Sequence, residues 1–402
     1  LERLARRVPA RERRLAERAP SPGEQVRRAS RGREPEVVRG ALVAEEEVVD
    51  DELPDLLPHE GIAHGHTLLR RRPSRLSRVD LDRAARPGHA RKDMTESAAS
   101  PRLAPETLFD LLRVHLAHEG GDRPLLVTTE RSYSSRDVDE ASARLAAWLL
   151  HVGVKPGDRV VVDLKNGVEA VVSLFAVARV GGVTVCATPQ WSIAQLSHLI
   201  ADAGAEVLIT SDVRARQLRD ARPAEVLTVG GVSEGATPWS AVEGAGAPST
   251  LPELAPPAAE DPAVLIYTSG TTGLPKGVVH PHKNLVDFAR IVSSYLGNTA
   301  DDRLLWVLGW SFGYGMSQLL TMCQVGGRLI LPESMLAADV VKAHELHRAT
   351  GLAQVPYGWD QLLGFLERTG RHLEGLRYVT NAGDGPTLDL LDRLEARLAG
   401  TP

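Results

Sequence analysis

The chain has 402 residues, 43% of them hydrophobic and 25% charged, with a formal net charge of -5. This is the make-up of a globular protein of two or three domains with material for a sizeable core. So small a charge over this length gives no reason to expect nucleic acid or an acidic membrane as partner.

No run reads as a membrane span, because the most apolar one, 170–187, is interrupted by Ser173, Arg179, Gly181 and Gly182. No uninterrupted apolar segment follows the basic N-terminus, so no secretory signal is visible. Cys186 and Cys323 stand far apart in apolar surroundings. They are expected to be buried thiols in a reducing, cytoplasmic compartment, and they lack the spacing of a metal site.

The composition changes at Met94. Before it there is no Phe, Tyr, Trp, Cys or Met, and Lys92 is the only lysine, while arginine recurs. A stretch without aromatics buries little area to offset its ordering entropy, so 1–93 is expected to be a disordered leader. A nucleic-acid-binding arm and a regulatory tail are the functional alternatives. The reading preferred over these takes Met94-Thr95-Glu96-Ser97 as the translation start and the residues before it as upstream DNA read in frame. Mass spectrometry of the natural N-terminus separates these.

From Met94 onward, helical and strand periods alternate. Leu108, Leu111, Leu112 and Leu116 share one helix face, and 125–129 reads as a strand. Ser134 opens a capping box with Asp137, and the helix that follows stops near Gly153. A βαβαβ run comes next: strand 159–164, helix 168–180, strand 183–187, a helix capped by Ser192 reaching Ala203, and strand 206–210. The Pro-, Gly- and Ala-rich stretch 230–262 reads as a long surface connection. Strand 263–268 leads into a glycine-rich loop, and Asn284 is expected to cap a helix toward Tyr295. Strands 303–308, 328–331, 352–355 and 376–380 alternate with helices near 314–324, 337–349, 358–369 and 386–398. The fold class is therefore α/β, with mostly parallel sheets flanked by helices, in subdomains of about 94–260 and 261–402.

The loop carries the chemistry. After the apolar run Val264-Leu265-Ile266-Tyr267 come Thr268, Ser269, Gly270, Thr271, Thr272, Gly273, Leu274, Pro275, Lys276 and Gly277. Small residues expose backbone N–H groups and hydroxyls to a polyphosphate, and Lys276 adds positive charge. The pattern is not a Walker loop, because Lys276 follows Pro275 and no hydroxyl comes directly after it.

The run from Tyr267 to Gly277, continued to Leu285, resembles the signature loop of the adenylate-forming superfamily. That superfamily includes acyl-CoA synthetases, aryl-CoA ligases, luciferases and peptide-synthetase adenylation domains. The segment from Arg179 to Pro189 is similar to the family's helix-to-strand turn, a packing feature. Phe312-Gly313-Tyr314-Gly315-Met316 looks like the aromatic segment lining the acid pocket, with Phe312 where many members have histidine; the alternative is plain core aromatics. Thr380 to Pro386 resembles the adenine-contacting turn. There Asp384 has two readings, contact with the adenine amino group or ribose, and a cap on the helix after Pro386.

The resemblance implies the large N-terminal domain of these enzymes and a two-step reaction with ATP, Mg2+ and CoA. A carboxylic acid is activated to an acyl-adenylate, then passed to CoA or to a carrier protein's pantetheine. By resemblance, Thr268, Ser269, Gly270, Thr271, Thr272, Gly273 and Lys276 hold phosphates. Gly383, Asp384 and Gly385 contact adenine, and Phe312, Tyr314 and Gly315 line the acid pocket. The family's later aromatic-Gly-x-Thr-Glu segment, its ribose-binding Asp and its C-terminal lid with the adenylation lysine are not found by Pro402. No catalytic or metal-binding side chain is therefore assigned, and this stretch alone is expected not to complete adenylation. An adenylation domain loading a carrier protein and a non-catalytic nucleotide-binding remnant are the alternatives.

Overall fold

The computed structural model describes residues 67–69, 105–218, 221–245, 256–268 and 275–398. The expectations for the leader 1–93 fall outside these residues, apart from one short strand. In chain order the first strands are β1 (Thr67–Leu69), β2 (Pro124–Val127), β3 (Ser132–Ser134), β4 (Arg159–Asp163), β5 (Val183–Ala187), β6 (Val207–Ser211) and β7 (Glu225–Val229). They continue as β8 (Thr237–Pro238), β9 (Pro262–Thr268), β10 (Lys276–Pro281), β11 (Arg303–Leu305), β12 (Arg328–Ile330), β13 (Gly351–Gln354) and β14 (Tyr378–Asn381).

Two seven-stranded sheets result. One runs β1-β14-β13-β11-β12-β2-β3, the other β10-β9-β5-β4-β6-β7-β8. The inner pairs are parallel, and β1, β3 and β10 are antiparallel edge strands. The sheets interleave along the chain. β2 and β3, from before residue 260, complete the first sheet, and β9 and β10, from after it, complete the second.

The helices are α1 (Leu108–Leu116), α2 (Ser135–His151), α3 (Val168–Arg179), α4 (Ile193–Ala203), α5 (Asp212–Leu218), α6 (Trp239–Glu243), α7 (His282–Leu296), α8 (Gly313–Val325), α9 (Ala337–His347), α10 (Pro356–Thr369) and α11 (Leu388–Leu398). Their starts follow local chemistry. Ser134 and Asp137 form the expected capping box of α2; Ser192 caps α4 as expected, and Gln195 there and Thr107 with Asp110 at α1 complete boxes that the sequence reading did not name. Every residue of α3 from Ala170 to Ala178 is buried, so this helix has no solvent face. It belongs to one apolar cluster that also takes in Leu125 and Leu304 of the first sheet and Val160 and Ile209 of the second. Cys186 and Cys323 are free and buried, and burial pushes both thiols up. Among the described residues no helix is long and apolar enough to cross a membrane.

Two expectations need correction, and one strand was not foreseen. The stretch 230–262 is not wholly a surface connection, because it contains β8 and α6. Trp239 and Val242, one helical turn apart, are buried there. The sequence reading assigned no element directly after the glycine-rich loop. It is closed by β10, which returns antiparallel along β9 as an edge strand ending at Pro281, where no further amide donor is needed. The next helix therefore begins at His282, not after Asn284. His282 is fully buried, and its Nδ1 accepts the Leu108 amide at 3.1 Å.

Candidate functional site

In open parallel sheets, ligands bind outside the carboxyl ends of the strands, where successive connections leave in opposite directions. Each sheet has one such point. In the second sheet it lies beside β4, which has β5 on one side and β6 on the other. That point is filled. Asp163, the last residue of β4, is fully buried and paired with Arg214 Nε, and it accepts Thr210 Oγ1 at 2.9 Å. Arg214 Nη1 also donates to the Trp191 carbonyl at 3.0 Å.

The corresponding point of the first sheet lies between β11 and β13. Four connections surround it: 306–312 after β11, 331–336 after β12, Val355 onward after β13 and 382–387 after β14. Here apolar side chains reach solvent. Phe312 is 46% exposed, Tyr357 75% and Leu336 69%.

The connection 306–312 is held by a residue that the sequence reading passed over. Asn166, in the β4–α3 connection, donates Nδ2 to the carbonyls of Leu308 at 2.9 Å and Trp306 at 3.2 Å. Its Oδ1 accepts the Trp310 amide at 2.8 Å. Trp310 Nε1 donates to the Leu164 carbonyl at 2.7 Å. A loop of one sheet thus fixes the path of a loop of the other. Nothing local marks Asn166, because its partners lie about 140 residues away and only folding brings them together. Asn166→Ala removes all three bonds and leaves buried backbone groups unmet. It is expected to cost about 2 kcal/mol in urea unfolding.

α8 starts directly after this connection, with Phe312 at its N-cap. Tyr314 donates its hydroxyl to Thr380 Oγ1 of β14 at 2.5 Å. Burial, with the nearby Tyr295, pushes the Tyr314 phenol up to about 12 despite the Thr380 hydrogen bond. Gly315 is buried, its carbonyl accepting Trp306 Nε1 at 2.8 Å. A Cβ there would lie 2.0 Å from the Gly309 carbonyl oxygen. Phe312 is therefore exposed and Tyr314 half-buried, whereas Gly315 is buried and permits close backbone packing.

The strands flanking the glycine-rich loop approach the same region. They form the β9–β10 hairpin, in which Thr268 is the register partner of Lys276 and Tyr267 that of Gly277. Thr268 and Lys276 are exposed, and directly opposed strand residues place their Cβ atoms about 5 Å apart. The Tyr267 ring covers Gly277, where a Cβ would come within 3.0 Å of it. The Tyr267 hydroxyl donates to Asp202 Oδ2 of α4 at 2.6 Å, which anchors the strand just before the loop. Ser269, Gly270, Thr271, Thr272 and Gly273 lie outside the described residues. Two residues before Thr268, Ile266 Cδ1 lies 4.0 Å from the Cβ position of Gly313. The hairpin and the N-terminus of α8 are thus neighbours.

The turn after β14 completes the set. Gly383 has φ +78°, a left-handed conformation that suits glycine. Asn381 Nδ2 closes the turn on the Asp384 carbonyl at 2.8 Å, and the Ala382 amide donates to the Gln354 carbonyl at 3.0 Å. Gly383, Asp384 and Gly385 are exposed. Asp384 does not cap the following helix, because the Thr387 hydroxyl accepts the Leu390 amide at 3.2 Å instead.

Comparison with known proteins gives this arrangement its family. Residues 113–402 match the profile of the family described as AMP-binding enzyme. The chain is 31% identical over 286 residues to phosphinothricin tripeptide synthetase PhsC of Streptomyces viridochromogenes, covering 70% of this chain and 24% of that protein. It is 33% identical over 241 residues to 4-coumarate–CoA ligase 5 of Oryza sativa subsp. japonica, covering 58% of this chain and 44% of that protein. It therefore spans less than half the length of these relatives. Among solved structures, VinN superposes with a TM-score of 0.64 at 28% identity, over 73% of this chain and 72% of that one. The anthranilate CoA ligase AuaEII, in complex with anthranoyl-AMP, shares the fold at a TM-score of 0.64 and 21% identity, over 72% of this chain and 58% of that one. With the hairpin beside the aromatic start of α8, and that helix joined to the strand before the glycine turn, the chain belongs to the AMP-binding enzyme family of adenylate-forming ligases.

Proposed function

We propose that this chain supplies the nucleotide and acid sites of an AMP-forming acid–thiol ligase. In the first step a carboxylate oxygen bonds to the α-phosphorus of ATP, and the bond to the pyrophosphate oxygen breaks. In the second, the thiol of CoA takes the acyl group and AMP leaves. The observation that carries this reading is the convergence of three segments distant in sequence: Ile266 on Gly313, and Tyr314 on Thr380.

Thr268, Lys276 and the loop 269–274 hold the β- and γ-phosphates, with Lys276 offsetting their charge. Gly383, Asp384 and Gly385 pass close to the purine. Phe312 and the Tyr314 ring face the acid. These groups act by positioning and by charge neutralisation. Among the described residues no group of three His, Cys, Asp or Glu side chains could hold a metal. Magnesium enters here as the partner of ATP that the family resemblance implies, and no step is routed through it. The likeness to a peptide synthetase favours a second reading for the acceptor, a carrier protein's pantetheine in place of CoA.

Equilibrium dialysis of the chain with ATP and with AMP tests the nucleotide site. Lys276→Ala is expected to weaken ATP ten- to a hundredfold, the worth of one charge-assisted contact. AMP, which lacks the outer phosphates, should change little. Failure of the unsubstituted chain to bind either nucleotide, or an equal loss for both, overturns the assignment.

A further inference from the structure

Tyr314 and Thr380 stand 66 residues apart, in segments assigned to different halves of the ligand. Tyr314 is the second residue of α8, beside Phe312 on the acid side. Thr380 adjoins Asn381, whose carboxamide closes the adenine-side turn. Thr380 is buried. The raised Tyr314 phenol stays protonated through neutral pH and so remains a donor. A buried hydrogen bond of this kind is costly to leave unmade.

Neither end of the link is free to relax alone. On one side, Gly315 is packed against the Gly309 carbonyl and receives the Trp306 indole N–H. On the other, the turn is tied to β13 through the Ala382 amide and the Gln354 carbonyl. A shift of the turn that reaches Thr380 through Asn381 must then either break the Tyr314–Thr380 bond or carry the first turn of α8 with it.

We propose that the Tyr314–Thr380 hydrogen bond is a positioning link through which nucleotide at the 382–385 turn orders the acid-binding segment 309–318. This rests on the function proposed above, because it takes the turn as the nucleotide contact. The link makes ordered binding the productive route: nucleotide first orders the surface on which the acid then sits, and by reciprocity a bound acid tightens the turn on nucleotide.

Hydrogen exchange with and without saturating AMP, read by mass spectrometry, tests the link without knowledge of the acid. In the unsubstituted chain AMP is expected to slow amide exchange at 380–387 and also at 309–318. In Tyr314→Phe and in Thr380→Val the slowing at 380–387 should persist, while that at 309–318 is lost. Thr380→Ser keeps the hydroxyl and should restore it, a rescue that a purely structural role would not give. If Tyr314→Phe fails to fold, Thr380→Val and Thr380→Ser carry the comparison. Protection confined to the turn in the unsubstituted chain overturns the link alone, as does protection of both segments in Thr380→Val. Absence of AMP binding by dialysis overturns the function reading and the link with it.

Discussion

Gly315→Ala is expected to destabilise the protein by roughly 3 kcal/mol, at the upper end of ordinary overpacking. The added Cβ would sit 2.0 Å from the Gly309 carbonyl oxygen and 2.7 Å from that of Leu308. Both obstacles are backbone, so no rotamer change relieves them. The 306–312 connection cannot retreat without giving up its hydrogen bonds to Asn166, nor α8 without losing the Trp306 bond to the Gly315 carbonyl. Urea unfolding should show a large fall in midpoint with little change in slope, and acid-side function should be lost at the same time. A midpoint within experimental error of the unsubstituted chain would show that the connection and α8 can separate freely.

The second large effect concerns Asp302, just before β11. Its side chain is 3% exposed and meets Arg377 at 2.7 and 3.2 Å. It also accepts the Thr350 hydroxyl at 2.7 Å and the Thr299 amide at 2.8 Å. Burial alone would raise its carboxyl, but Arg377, Thr299 and Thr350 together hold it below its ordinary value of 3.8. Asp302→Ala is expected to cost about 2–3 kcal/mol at pH 7. This is below the usual loss for breaking a buried pair, because the Arg377 side chain remains 41% exposed and can turn to water. The sign of the pH dependence follows from the lowered pKa. Between the folded and unfolded values the unfolded chain binds more protons, so the contribution is full above about pH 5. It falls away as pH drops below 3.8 toward the folded value. The penalty should therefore be equal at pH 7 and 5.5 and smaller at pH 3.5, by urea unfolding at each pH. A penalty that grows on acidification would contradict the ion-pair account.

Much of the fold was legible because it is local. The caps at Ser134 and Ser192 and the apolar runs of β4, β5 and β9 are set by neighbours within a few residues. What escaped was set by partners outside the run itself. Lys276–Pro281 contains a glycine and ends in proline, and it becomes a strand only because β9 offers its edge. His282 takes the start of α7 because the Leu108 amide meets it from another helix. The 230–262 stretch yields α6 because Trp239 and Val242 find a core to enter.

The candidate site divides the same way. Sequence alone determined the chemistry on offer: a hydroxyl- and amide-rich loop ending in Lys276, an aromatic segment at 312–316 and a glycine turn at 383–385. Those features depend on residue type at short spacing. Tertiary structure alone decided which of them act together. It put Asn166 under the 306–310 backbone, turned Gly315 from pocket lining into a packing requirement, filled one switch point with Asp163 and Arg214, and joined Tyr314 to Thr380. Apart from the Gly315 contact, such pairings join residues tens to more than a hundred positions apart. They form only once the sheets are assembled, and no local pattern of residues encodes them.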